Sequence, residues 1–147
     1  MMNRSGFTLV EMMVAISILA ILAAIAIPNG ISWMGNARIN SAGRQVYAAI
    51  QDARMHAIKA NANTTIEFSA AGDSYETSKW DPQALQMNQQ THTLPAGVQV
   101  AATTFPGRVL TYNGRGFGST GNVDLTNNSG RTIQISVNVT GRPRVAY

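Results

Sequence analysis

The sequence predicts an α+β protein in which one long N-terminal helix, its first half of membrane-spanning length, carries an antiparallel β-sheet head. Three observations predict it. The chain opens with an almost unbroken apolar run, apolar residues then recur at three- and four-residue spacing to about residue 62, and beyond that they alternate by two. At 147 residues the chain has the length of one domain. Only 12% of it is charged against 45% hydrophobic, which excludes a charge-rich disordered chain. It has no cysteine, so disulfides, thiolate metal sites and a cysteine nucleophile are excluded.

Residues 1–6 form a short polar leader carrying Arg4. From Phe7 to Ile27 about 21 residues are nearly all apolar, and at roughly 1.5 Å per residue they span about 30 Å, one bilayer core. Few soluble helices are apolar on every face for so long, so residues 7–28 read as a transmembrane helix. The run is too long for a secretory signal peptide, and no small-residue cleavage site follows it. Pro28 marks the place where this helix must kink or pause. Glu11 lies inside the apolar run, where a charged side chain costs roughly 2.5–3.5 kcal/mol on insertion scales. The helix offers it no cation, so the carboxylate either meets a partner from another molecule or snorkels to the headgroups.

Residues 29–62 read as an amphipathic helix, with Ala42, Val46, Ala49, Ile50, Ala53 and Ala57 as its apolar stripe. Arg44, Gln51, Asp52, His56 and Lys59 fall mainly on the opposite side, and Asn61-Ala62-Asn63 is a polar stop. Residues 63–147 form the β-rich head. Thr64 to Ser69 alternates, Ala71-Gly72-Asp73 is a turn, and Tyr75 to Trp80 returns as the partner strand. Asp81 to Thr93 is polar and Gln/Asn-rich and reads as a loop. Short strands are expected at residues 94–100, 109–112, 123–125 and, most clearly, 132–140, with a last edge strand at 144–147. Asn127-Asn128-Ser129-Gly130 is the turn of a hairpin.

Gly6-Phe7-Thr8-Leu9-Val10-Glu11, followed by the apolar run, resembles the class III signal of type IV pilins and type II secretion pseudopilins. The resemblance implies cleavage between Gly6 and Phe7 by prepilin peptidase and N-methylation of Phe7. It also implies that Glu11 pairs with the Phe7 ammonium of a neighbouring subunit, and that Pro28 lies where such helices kink or loosen. Leu110 to Gly118, then a hairpin ending in Gly141-Arg142-Pro143-Arg144-Val145, is similar to the GspH/FimT group of minor pilins and pseudopilins. Together the two resemblances cover nearly the whole chain. They imply a pilin-like fold, single-pass anchorage in the bacterial inner membrane, a periplasmic head, and other pilins or pseudopilins as partners. The absence of a cysteine pair and the basic C-terminal region depart from the major pilins and fit a minor subunit near the filament tip.

Residues suited to catalysis are scarce. His56 and His92 have no acidic cluster beside them in sequence and read as solvated surface residues. Gly114-Arg115-Gly116-Phe117-Gly118 lacks the Lys-Ser/Thr of a phosphate loop and reads as a turn or bulge; Tyr112, Phe117 and Tyr147 are candidates for stacking, with core packing the favoured use of Phe117. Asp73, Glu76 and Asp81 match no calcium loop and read as a solvated face. No catalytic residue, cofactor or metal is therefore expected, and a non-enzymatic structural subunit is the reading. From Phe105 onward, however, Arg108, Arg115, Arg131, Arg142 and Arg144 stand against the single acid Asp124. Arginine offers a planar fork of donors that suits phosphate. Pro143 restricts the turn between Arg142 and Arg144, so an anion or DNA-backbone contact is one expectation. The other is that these arginines meet acidic neighbours in the assembly, or keep the head soluble, with Arg131 serving ordinary turn chemistry. The similarity to DNA-uptake pilins with a Gly-Arg-x-Arg ending makes a DNA-binding minor pilin the alternative function.

Overall fold

A computed structural model describes residues 8–70 and 72–146. A single helix, α1, runs from Leu9 to Ala60. Its helical assignment runs through Pro28, where the missing N–H removes one backbone hydrogen bond while helix continues on both sides. The chain divides into two compact units, Met1–Met34 and Gly35–Tyr147. In the first, every described side chain from Leu9 to Ile27 is exposed. Ser17, a polar residue in this run, donates its hydroxyl to the Met13 carbonyl at 2.7 Å, which satisfies it inside the helix.

In the second unit the predicted stripe is buried. Ile39, Ala42, Val46, Ile50, Ala53 and Ala57 are at most 1% exposed, with Ala49 at the edge of the same cluster. Gly43 lets the helix lie close to the sheet, since a Cβ there would sit 3.4 Å from the Ile133 side chain. The helix ends as Asn61 turns left-handed at φ 47°. Ala62 N–H bonds the Ala57 carbonyl and Asn61 N–H the Ile58 carbonyl, which satisfies two of the carbonyls the helix end leaves without partners.

The head holds two four-stranded antiparallel sheets. One has the order β3-β2-β1-β5, from strands β1 (Thr64–Phe68), β2 (Ser74–Asp81), β3 (Gln86–Thr93) and β5 (Val109–Tyr112). The other is β4-β6-β7-β8, from β4 (Val98–Thr103), β6 (Gly121–Asn127), β7 (Thr132–Val137) and β8 (Pro143–Ala146). Their inner faces and the α1 stripe close one core, in which Phe68 stacks on Phe105 at 5.9 Å.

Two expectations fail here. Residues 86–93 are not loop but strand β3, paired with β2 over its whole length. Its side chains are almost all exposed, so backbone pairing makes this edge strand and no apolar alternation marks it. Strand β7 stops at Val137 rather than continuing to residue 140. Gly141 N–H bonds the Asn138 carbonyl in a turn, and Val139 is 64% exposed.

Candidate functional site

Two places carry the residues singled out by the sequence, one in each unit. At the start of α1, Thr8 caps the helix. Its hydroxyl accepts the Glu11 N–H at 3.2 Å, while Glu11 Oε2 accepts both the Thr8 N–H and the Thr8 hydroxyl at 3.0 Å. This reciprocal pair is a capping box, legible in the sequence as Thr-x-x-Glu before an apolar run but missed there. Thus Glu11 has a local partner of its own in the leading turn, which holds its carboxylate at the helix N-terminus, where the macrodipole favours an anion. Gly6 and Phe7 lie outside the described residues. Pro28 lies in the continuous helix.

The second place is a groove of about 400 Å³ in the head. Two glycine–arginine turns form it. After β5, Asn113 Oδ1 accepts the N–H groups of Arg115 and Phe117 at 3.0 and 3.1 Å, and Gly116 N–H bonds the Asn113 carbonyl at 2.8 Å. Gly116 has φ +79°, and a Cβ there would stand 2.6 Å from Ile58 Cδ1, so only glycine fits. The second turn brings Gly141 against the first, with its carbonyl accepting the Tyr112 hydroxyl at 2.9 Å. Gly141 has φ +74°, and a Cβ there would press on the Gly116 carbonyl and the Tyr112 ring. Arg54, from α1, fastens the arrangement by donating Nε to the Gly116 carbonyl at 3.1 Å. Burial pushes the Tyr112 phenol up to about 12, an effect the nearby Arg54 charge partly offsets.

Four arginines line this groove: Arg54, Arg115, Arg142 and Arg144. Pro143, the first residue of β8, is buried between the exposed Arg142 and Arg144. Among the described residues the ion pair is Lys79–Asp52, and none of the four arginines meets a described carboxylate. The structure does not bring the other two predicted arginines here. Arg108 spends Nε and Nη2 on the Phe68 carbonyl at 3.2 and 2.9 Å, tying the start of β5 to β1. Arg131 sits in the β6–β7 turn, its N–H bonded to Asn127 Oδ1 at 3.0 Å.

One groove residue was missed. Arg54 flanks the buried stripe, four residues after Ile50, and that helical spacing was the available signal. Phe117 was expected in the core, yet it is 49% exposed and lines the groove, because the Asn113-anchored turn holds it outside the sheets. The histidines also differ from expectation. His56 Nδ1 lies 3.4 Å from the Thr64 hydroxyl, and His92 stacks on Tyr75 at 5.0 Å with Nε2 3.1 Å from the Thr77 hydroxyl. Both are half-buried structural residues rather than solvated ones. Asp73 and Asp81 lie at opposite ends of β2, roughly 25 Å apart, and Asp81 caps the following turn through the N–H groups of Gln83 and Ala84.

Comparison with known proteins agrees with this division. The prokaryotic N-terminal methylation motif matches residues 1–27, and the type II transport protein GspH domain matches residues 42–141. No curated protein matches the chain by sequence. Among solved structures, the minor pseudopilin EpsH from the type 2 secretion system of Vibrio cholerae superposes with a TM-score of 0.61 at 12% identity. That match covers 74% of this chain and 96% of EpsH. The type IV minor pilin FimU of Pseudomonas aeruginosa gives a TM-score of 0.61 at 15% identity, covering 78% of this chain and 92% of FimU. At such identities the likeness is one of fold. With the GspH domain matching most of its length behind a methylation motif, the chain belongs to the GspH family.

Proposed function

We propose that this chain is a non-enzymatic minor subunit of a type IV pilus or type II secretion pseudopilus. On this reading α1 anchors it in the bacterial inner membrane with the head in the periplasm, until it is built into the filament near its tip. The observation supporting this is that every described side chain from Leu9 to Ile27 is exposed, while the head closes its own core. Such a surface needs lipid or neighbouring helices around it. Prepilin peptidase would cut between Gly6 and Phe7, freeing a Phe7 amino group that is then methylated. Glu11, already held by Thr8, would receive that ammonium from an adjacent subunit, which compensates a carboxylate in an apolar setting. The test compares Glu11→Ala with Glu11→Gln, because glutamine keeps the capping box and loses only the charge. Both variants should reach the membrane fraction and be depleted from sheared filaments. Normal incorporation of Glu11→Gln would overturn the pairing.

A second reading, a minor pilin that captures DNA, is favoured by the convergence of Arg54, Arg115, Arg142 and Arg144 on one groove. Binding of DNA by the chain should weaken steeply with salt, as phosphate contacts release counterions. The Arg142→Ala/Arg144→Ala double variant should lower both the affinity and the salt slope. Binding that ignores salt and the double variant would refute this reading.

A further inference from the structure

Building on the DNA-capture reading, we infer that the strand this groove accepts is single, with one unstacked base lying on Phe117. The phenyl ring is 49% exposed, yet its backbone is fixed through Asn113, so a flat apolar surface is presented in one place without loss of order on binding. Arginines surround it in the same concavity, and guanidinium groups both pair with phosphate and stack on bases. An aromatic platform beside a cationic track is the arrangement that holds single strands without regard to sequence. A duplex cannot use it, because each base in a duplex has its faces covered by its neighbours and offers only edges in the grooves. The concave shape points the same way. Reading of the major groove requires a projecting helix or ribbon, whereas a hollow of about 400 Å³ has the scale of a small-ligand pocket and suits one splayed nucleotide. Asn138 and Thr140 complete the wall, with the Thr140 hydroxyl donated to Asn138 Oδ1.

The experiment is fluorescence anisotropy of the full chain in zwitterionic detergent micelles, with a labelled twelve-residue oligothymidine and a twelve-base-pair duplex at the same salt. Phe117→Leu keeps an apolar side chain but removes the ring. It should weaken the single strand about tenfold, in line with stacking of about 1–3 kcal/mol per base, and leave the duplex within about twofold. Phe117→Trp should restore or exceed the original affinity. Equal binding of both oligonucleotides, lost with Arg142→Ala/Arg144→Ala but unchanged by Phe117→Leu, would overturn this inference and leave DNA capture standing. No binding of either oligonucleotide would overturn both.

Discussion

Ile21 and Ile50 sit in the same helix and have opposite fates. Ile21 is 64% exposed in an almost wholly apolar segment, whereas Ile50 is fully buried and its stripe is flanked by Arg44, Gln51 and Asp52. Helix propensity does not separate the two segments. The distribution of apolar residues around the axis does: a stripe can be covered by one sheet, but an apolar cylinder needs surroundings apolar on all sides. One helix therefore serves two media. The segment from Ile39 to Ala57 belongs to the head's own folding, and the segment from Leu9 to Ile27 belongs to whatever surrounds it.

The largest expected effect tests this contrast directly. Ile50→Ala should destabilise the head by about 2–5 kcal/mol, through lost transfer energy and the cavity left behind. Ile21→Ala should move the same urea transition by less than about 0.5 kcal/mol. Similar shifts for both would mean that the first segment supports the head. Next come two glycines of the head with the same backbone and different surroundings. Gly141→Ala should cost about 3 kcal/mol, since it adds steric conflict with Gly116 and Tyr112 to a left-handed φ of +74°. Gly130→Ala, at φ +78° in open space, should cost about 1–2 kcal/mol, the left-handed penalty alone. Thermal unfolding of the two variants separates packing from backbone strain at the groove.

Alkaline titration sharpens the comparison further, because Glu11 is the one titratable side chain from Leu9 to Ile27, while the head buries Tyr112. Its folded pKa of about 12 lies above the ordinary value near 10, so between these values the native state holds more protons than the unfolded one. The stabilisation is therefore fully present below about pH 10 and is lost as pH rises through about 12. Tyr75 is shifted in the same direction by burial. Tyr112→Phe should flatten this alkaline loss in denaturant titrations. A small effect is also expected for Lys79→Ala, which removes a surface ion pair with Asp52, a residue 56% exposed, and should cost less than about 1 kcal/mol.

Elements with an apolar signature were legible in the sequence. The stripe from Ala42 to Ala57, the Asn61 stop and the alternation of Ile133, Ile135 and Val137 all reappear as buried faces or ends. Strand β3 was not legible, because its side chains face solvent and only backbone pairing with β2 defines it. The end of β7 was hidden for a related reason: Val139 continues the alternation, but the Asn138–Gly141 turn takes the backbone out of the ladder. At the groove, Arg115, Arg142 and Arg144 were found by counting charge. Arg54 was not, since it comes from a helix far off in sequence, and the core packing favoured for Phe117 fails because a turn places it against its own apolar preference. Proximity through tertiary structure leaves no local pattern to read.

The central claim, that Leu9–Ile27 is a surface made for neighbouring helices, is tested most directly by a benzophenone photo-crosslinker at position 21 in cells. The account predicts adducts with other pilin subunits that disappear in the Glu11→Ala background, while adducts with lipid remain. Lipid adducts alone, the same with and without Glu11, would contradict it.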